Sequence, residues 1–259
     1  MLEAGSGPHN FRDALSRLRH VQKSAKGGPP YSLFVNRPLG RVIAAAAYQV
    51  GLTPNQVTYL SAALTAAGLI VLSVAPAGWL TGILVTGCLA LGYAFDSADG
   101  QLARLRGGGS FAGEWLDHMI DSVKVAAIHV AVLISLYRNF ELADGWLLVP
   151  LGFVVVSTVH FFGMILVDLM ARTHRATVGA PAPPPAPAEM LKTLLKLPTD
   201  YGILCLLFLL LGAHQVFFVI YTLLALATGG YTVLVTGKWR RDVLALDAER
   251  RAGNTVPAP

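Results

Sequence analysis

Long apolar runs free of charge alternate along the chain with short polar segments rich in glycine, proline and basic residues. From Val42 to Phe95 there is no Asp, Glu, Lys, Arg or His over 54 residues, and from Tyr201 to Gly237 only His214 interrupts. A helix needs about 20 mostly apolar residues to cross a hydrocarbon core, so each run has room for two. The breaks between runs are legible. Thr53 can cap a helix whose first residue is Pro54. Ala75-Pro76-Ala77-Gly78 reads as a tight turn, Gly107 to Ser110 as a loop, Arg138 to Gly145 as a polar connection and Gly212-Ala213 as a second turn. The pattern predicts an all-α, polytopic membrane protein. Its six transmembrane helices fall at about 54–75, 79–104, 111–137, 146–171, 200–212 and 214–236. The last two are short, so one of them is expected to begin within the preceding loop.

The flanks differ from this core. Residues 1–30 form a basic N-terminal tail, in which Phe11, Leu15, Leu18 and Val21 recur at helical spacing while Arg12, Arg17 and Arg19 fall elsewhere. That pattern fits an interfacial amphipathic helix on an anionic membrane surface; a frayed basic tail is the other reading. Residues 31–50 read as a second interfacial helix. The six-span domain then covers 31–237, with a Pro/Ala-rich loop near 172–196, and 238–259 is a basic, polar C-terminal tail. Met1-Leu2-Glu3 is not a basic start leading into an apolar core, so no signal peptide is expected.

Composition agrees. Hydrophobic residues make up 54% and charged residues 14%, where a soluble domain carries about 25% charged. This excludes a typical soluble enzyme, a disordered chain and a coiled coil. Cys88 and Cys205 sit inside apolar runs, which excludes a disulfide framework. The net charge of +5 matters less than its placement. Seven Lys and Arg precede the first span, two lie at 104–110, four at 172–196 and five after Gly237, against Arg138 alone in the opposite loops. The positive-inside rule then puts both termini and the basic loops in the cytoplasm of a cell (inner) membrane protein. No nucleic-acid partner is expected.

Five of the fifteen acidic residues lie between Asp96 and Asp121. Carboxylates at membrane depth are costly and point to function. Asp96 and Asp99 are three apart near the end of one span, and Asp117 and Asp121 four apart near the start of the next, so each pair shares a helix face. A short loop joins the two spans, so the faces can meet at one depth. Four converging carboxylates repel one another without a cation. Their hard oxygens suit Mg²⁺ or Mn²⁺, and four can hold two ions that clamp a diphosphate. Gly100, Ala103 and Gly113 lack bulk and let a ligand approach the helix backbone. Arg104 can fork onto a phosphate oxygen.

Written out, the segment is Asp96-x2-Asp99-Gly100-x2-Ala103-Arg104-x8-Gly113-x3-Asp117-x3-Asp121. In full it resembles the signature of the CDP-alcohol phosphotransferase family of integral membrane enzymes. Leu52-Thr53-Pro54-Asn55-Gln56-Val57-Thr58 is similar to that family's entry into the first span. With the six-span layout, the likeness covers about residues 30–237. The resemblance implies cleavage of the diphosphate of a CDP-linked alcohol such as CDP-diacylglycerol. The substituted phosphoryl group passes to an acceptor alcohol and CMP is released, in phospholipid or related lipid synthesis. It implies Asp96, Asp99 and Asp117 as main metal ligands. By the same resemblance, Asp121 would approach the second metal and act as base on the acceptor hydroxyl. Gly100, Ala103, Arg104, Gly113 and Thr58 would bind the nucleotide, and the protein would be a homodimer. In inositol-phosphate-type members the position after Asp121 is usually Arg; here it is Ser122.

Other residues carry two readings each. Lys124, three beyond Asp121, can receive an anionic acceptor or snorkel to the interface. Lys196 and Arg175 can attract an acceptor phosphate or simply follow the positive-inside rule, as can Lys192. His118, Glu114, His129 and His160 read as a bystander, a surface residue and two satisfied core histidines. Asp168 is expected to pair with Arg172. A cation-coupled transporter using the intramembrane aspartates is the competing function.

Overall fold

The computed structural model describes residues 10–20, 28–181 and 193–254. Residues 1–9 and 21–27 of the N-terminal tail, most of the Pro-Ala run with Lys192, and 255–259 lie outside the described residues. Among the described residues all regular structure is helical. The helices are α1 (Phe11–His20), α2 (Arg37–Gln49), α3 (Pro54–Val74), α4 (Trp79–Leu105), α5 (Phe111–Asn139), α6 (Leu148–Val178), α7 (Tyr201–Leu207) and α8 (His214–Asn254).

The helix starts follow the sequence closely. Thr53 accepts from the Gln56 backbone N–H, and the Gln56 side chain accepts from Thr53 N–H at 2.8 Å, so a complete capping box opens α3. Ser110 accepts from Gly113 N–H at 3.0 Å and opens α5. Gly107 and Gly108 hold φ of +100° and +132° in the α4–α5 loop, conformations that side-chain-bearing residues rarely adopt.

Small residues let α3 and α4 approach closely. Gly68 lies against Cys88, Gly92 against Thr65, and the Ser61 hydroxyl donates to the Gly92 carbonyl at 2.7 Å. Alanines 44, 45 and 47 of α2 pack with Val57, Ala98 and Leu102. Ala14 and Leu18 of α1 are fully buried in the same cluster. Of the predicted apolar stripe, Leu18 is therefore covered by protein, while Phe11 stays exposed and Val21 lies outside the described residues. A second core joins α5, α6, α7 and α8 through Ile128, Leu136, Phe153, Leu204, Phe217 and Tyr221. Inside it His129 faces the Tyr221 hydroxyl at 2.8 Å and Ser157 at 2.9 Å, and His160 faces Thr232 at 3.1 Å. His129 is a satisfied core histidine, as expected, whereas His160 is hydrogen-bonded but only partly buried.

Among the described residues, five helices are long and apolar enough to cross a membrane. The expected fifth span differs. Tyr201–Leu210 is a short apolar helix ending in a 3₁₀ turn, about 15 Å at 1.5 Å per residue against a core of about 30 Å. It runs antiparallel to α4: Tyr201 packs on Tyr93, the Cys205 carbonyl accepts from Thr86 at 3.0 Å, and Gly212 lies under Trp79. The last helix is longer than expected and continues unbroken past Gly237 to Asn254.

Gly82 is where this arrangement is tightest. A Cβ there would lie 2.3 Å from the Phe208 carbonyl oxygen, whereas one at Gly87 meets nothing within 4 Å. Gly82→Ala should cost about 1–3 kcal/mol through overpacking against backbone. Gly87→Ala should be neutral or gain up to about 1 kcal/mol of helix propensity. Thermal unfolding in detergent distinguishes the two; equal melting temperatures would contradict the close packing.

Candidate active site

The end of α4 and the first turns of α5 bring the motif together. Asp99 is buried, and the Thr58 hydroxyl of α3 lies 2.6 Å from its Oδ2. Its Oδ1 accepts from Gly100 N–H. One oxygen each of Asp117 and Asp121 and a ring nitrogen of His118 lie within 4.8 Å of one another. Lys124 stands between the two pairs. Its side chain comes from α5, one turn beyond Asp121, and is buried. The ammonium donates to Asp96 Oδ1, to Asp121 Oδ1 at 3.1 Å and to the Ser61 hydroxyl of α3 at 3.0 Å.

Two cavities open on this cluster. The smaller, about 190 Å³, is lined by Arg37, Asp96, Ser97, Asp99, Gly100, Gln101, Arg104 and Asp117. The larger, about 630 Å³, touches Asp96, Asp121 and Lys124 and runs between α5, α6 and α8. Its lining is largely apolar or aromatic, including Tyr93, Ile128, Phe153, Phe161, Tyr201 and Tyr231, with Lys196 and Lys238 also on its wall. Burial and the charge of Lys238 push the Lys196 ammonium below its usual range. Asp200 helps shape this cavity: it accepts from Tyr31 N–H at 2.7 Å and from Gly202 N–H at 3.1 Å, tying the segment before α2 to the start of α7.

The sequence-derived residues separate into groups. Asp96, Asp99, Asp117, Gly100 and Arg104 share the small cavity. Asp121, Lys124 and Lys196 line the large one. Thr58 meets Asp99, and the Gly113 N–H donates to its cap Ser110, with Asn55 nearby. Ala103 and Arg175 line neither of these cavities. Lys124 does not snorkel, since only 8% of it is exposed. His118 lies closer to the carboxylates than a bystander's place implied. Glu114 is not simply a surface residue: it pairs with Arg172 of α6 at 2.7 Å, while Arg172 also holds Asp168 at 3.0 Å, the latter as expected. The segment Lys196 to Tyr201 reads in the sequence as the rim of an acceptor pocket, and Lys196, Pro198, Thr199, Asp200 and Tyr201 line the larger cavity. Sequence reasoning gave no role to Arg37, Ser61, Tyr93 or Lys238. Arg37 carried a signal, a basic residue beside Pro38 at a helix start. The others are ordinary residues whose place only the packing reveals.

Residues 51–231 match the family model described as CDP-alcohol phosphatidyltransferase. The phosphatidylinositol phosphate synthase of Corynebacterium glutamicum is 32% identical over 118 residues, 45% of this chain and 52% of that protein. The chain thus spans about half the length of this curated relative. A crystal structure of Mycobacterium tuberculosis phosphatidylinositol phosphate synthase, in complex with manganese and citrate, aligns over 79% of this chain and 88% of that one. The identity there is 22% and the TM-score 0.47.

The Thr58–Asp99 contact is testable by itself. Thr58→Val keeps the shape but leaves a buried carboxylate oxygen without its hydroxyl donor, a loss of about 1–3 kcal/mol. Thr58→Ser should restore most of it. Chemical or thermal unfolding in detergent measures both, and a Val variant as stable as the parent would remove this contact from the account.

Proposed function

Because the chain belongs to the CDP-alcohol phosphatidyltransferase family, we propose that it transfers the phosphatidyl group of CDP-diacylglycerol to an acceptor alcohol and releases CMP. The observation that carries this reading is the meeting of Asp96, Asp99, Asp117 and Asp121, with Gly100 and Arg104, at facing helix ends. The small polar cavity suits the nucleotide diphosphate, with Arg37 and Arg104 as forked donors to its oxygens. The acceptor hydroxyl comes from the side of the large cavity, where Asp121 takes its proton. A bond then forms from the acceptor oxygen to the lipid-bearing phosphorus, and the bond from that phosphorus to the CMP phosphate breaks. The match to this family sets aside the transporter reading.

The donor set fits a divalent ion: hard carboxylate oxygens are gathered at one place, with the Asp117 and Asp121 oxygens within 4.8 Å. Mg²⁺ or Mn²⁺ held there by the four aspartates would neutralise charge developing on the departing phosphate. Lys196 and Lys238 suit an anionic acceptor. The corynebacterial relative's name makes inositol phosphate the first alcohol to offer, although Ser122 stands where such members usually carry Arg. Although α7 alone is too short to span, the chain returns from Asp200, beside Tyr31, to Gly212, under Trp79. This reading takes that return as the sixth crossing, with the site and both termini on the cytoplasmic side that the basic residues favour.

Purified protein given CDP-diacylglycerol, Mg²⁺ and a panel of alcohols should release CMP, and EDTA should stop it. Full turnover in metal-free buffer would refute metal dependence. Asp121→Asn should lower turnover by about 10²–10⁴-fold, the usual contribution of a positioned base, while CMP still binds. Loss of CMP binding as complete as in Asp96→Asn would make Asp121 a ligand first. For orientation, Ser110→Cys in a Cys88→Ala, Cys205→Ala background should resist an impermeant thiol reagent in intact cells, and Asn139→Cys should react. The reverse pattern would turn the site to the other side.

A further inference from the structure

We propose that Tyr201 is a specificity residue for the acceptor: its phenolic hydroxyl donates to a second hydroxyl of the alcohol, beside the one that attacks phosphorus. The inference rests on the transferase reading above and deepens it, because it names the acceptor class as an alcohol with neighbouring hydroxyls.

Tyr201 opens α7, directly after its cap Asp200. It lines the larger cavity together with Asp96, Asp121 and Lys124, and has no place in the smaller one. Its ring is held by an aromatic stack. Tyr93 meets it edge-on with centroids 5.1 Å apart, and Tyr31 stacks on Tyr93 at 6.2 Å. The backbone beside it is held too. Asp200 accepts from Gly202 N–H at 3.1 Å and from Tyr31 N–H at 2.7 Å. A Cβ at Gly202 would lie 1.9 Å from Tyr31 Cδ1, so this corner has no slack. A ring fixed in this way presents its hydroxyl at a defined place.

That hydroxyl is buried and meets no donor or acceptor of the protein. Two neighbouring tyrosines differ: Tyr93 is answered by the Ser32 side chain, and Tyr221 by His129 at 2.8 Å. A buried hydroxyl without a partner costs the fold stability, and phenylalanine would fill the same space without that cost. Packing alone therefore gives no reason for tyrosine at this position. The charged groups within electrostatic reach of the hydroxyl are the carboxylates of Asp96 and Asp121. The Thr65 hydroxyl also lacks a partner, but it lies against Gly92 of α4.

The rest of the inner wall has little left to read a hydroxyl with. His129 and Ser157 hold each other at 2.9 Å, His160 faces Thr232, and Thr228 donates to the Pro198 carbonyl at 2.8 Å. A pocket walled mostly by carbon takes its specificity from a few placed polar groups. Asp121 takes the proton of the attacking hydroxyl, and a hydroxyl on the neighbouring carbon then falls to the phenol beside that carboxylate. An alcohol with one hydroxyl leaves the phenol unanswered and gains nothing from it.

Rates of CMP release by the full-length protein in detergent, with CDP-diacylglycerol and Mg²⁺, test this. Glycerol 3-phosphate is compared with 3-hydroxypropyl phosphate, and inositol 1-phosphate with its monodeoxy analogues. The wild type should favour a parent alcohol over one of its deoxy analogues by about tenfold in kcat/KM, the worth of a buried hydrogen bond. Tyr201→Phe should bring that ratio near one while the KM for CDP-diacylglycerol holds. Its melting temperature should be unchanged or higher, since no bond within the protein is lost. A wild-type ratio near one, CMP release only with single-hydroxyl alcohols, or a ratio that survives in Tyr201→Phe would overturn the inference and leave the transferase reading standing. So would a Tyr201→Phe protein that melts lower and slows both acceptors alike, which is the mark of a structural hydroxyl. No CMP release by the wild type with any alcohol would instead overturn the reading on which the inference rests.

Discussion

Carboxylates at membrane depth are tolerable only when every one of them is answered, and the site is built around that constraint. Asp99 is answered by the Thr58 hydroxyl and the Gly100 N–H. Asp96 and Asp121 are answered by Lys124. These partners come from α3, α4 and α5, so satisfying the charges also fixes how three helices sit against one another. The close α3–α4 approach through Gly68, Gly92 and Ser61 follows the same logic: Ser61 has to lie near enough to α4 to reach both the Gly92 carbonyl and the Lys124 ammonium. Packing and electrostatics therefore act on the same few residues.

Much of this was legible in the sequence, and the exceptions have physical causes. The first three long helices begin where Thr53-Pro54, the Pro-Ala-Gly turn and Ser110 placed them, because caps and turns act locally. The four aspartates and their small neighbours were legible because fixed spacing on a helix is a geometric statement. Three matters were not. The length of α7 escaped because an apolar run of that size fits a half-helix as well as a span, and only the partner α4 decides. The burial of Leu18 escaped because an amphipathic stripe does not say whether lipid or protein will cover it. The meeting of Lys124 with Asp96 escaped because the two are 28 residues apart on different helices.

The two cavities divide the chemistry by polarity. The smaller is walled by charged and amide side chains at the helix ends, the larger mostly by carbon along α5, α6 and α8. Asp96 belongs to both, so it sits at the junction where a group leaving one cavity would enter the other. Of the two, Asp121 touches only the larger; under the proposed reading, the base would stand on the acceptor's side of that junction.

The roof over the larger cavity depends on a contact that no motif records. Asp200 caps α7 and at the same time holds Tyr31, while Tyr31 stacks on Tyr93 and Tyr93 meets Tyr201 edge-on. Gly202 makes this possible, since a Cβ there would fall inside the Tyr31 ring. The segment preceding α2 is therefore fastened at the site by an ionisable side chain and an aromatic stack. Because Tyr93 lies one turn before Asp96 on α4, the fastening and the carboxylate cluster share a helix. A shift of the roof would then be felt at the junction between the two cavities.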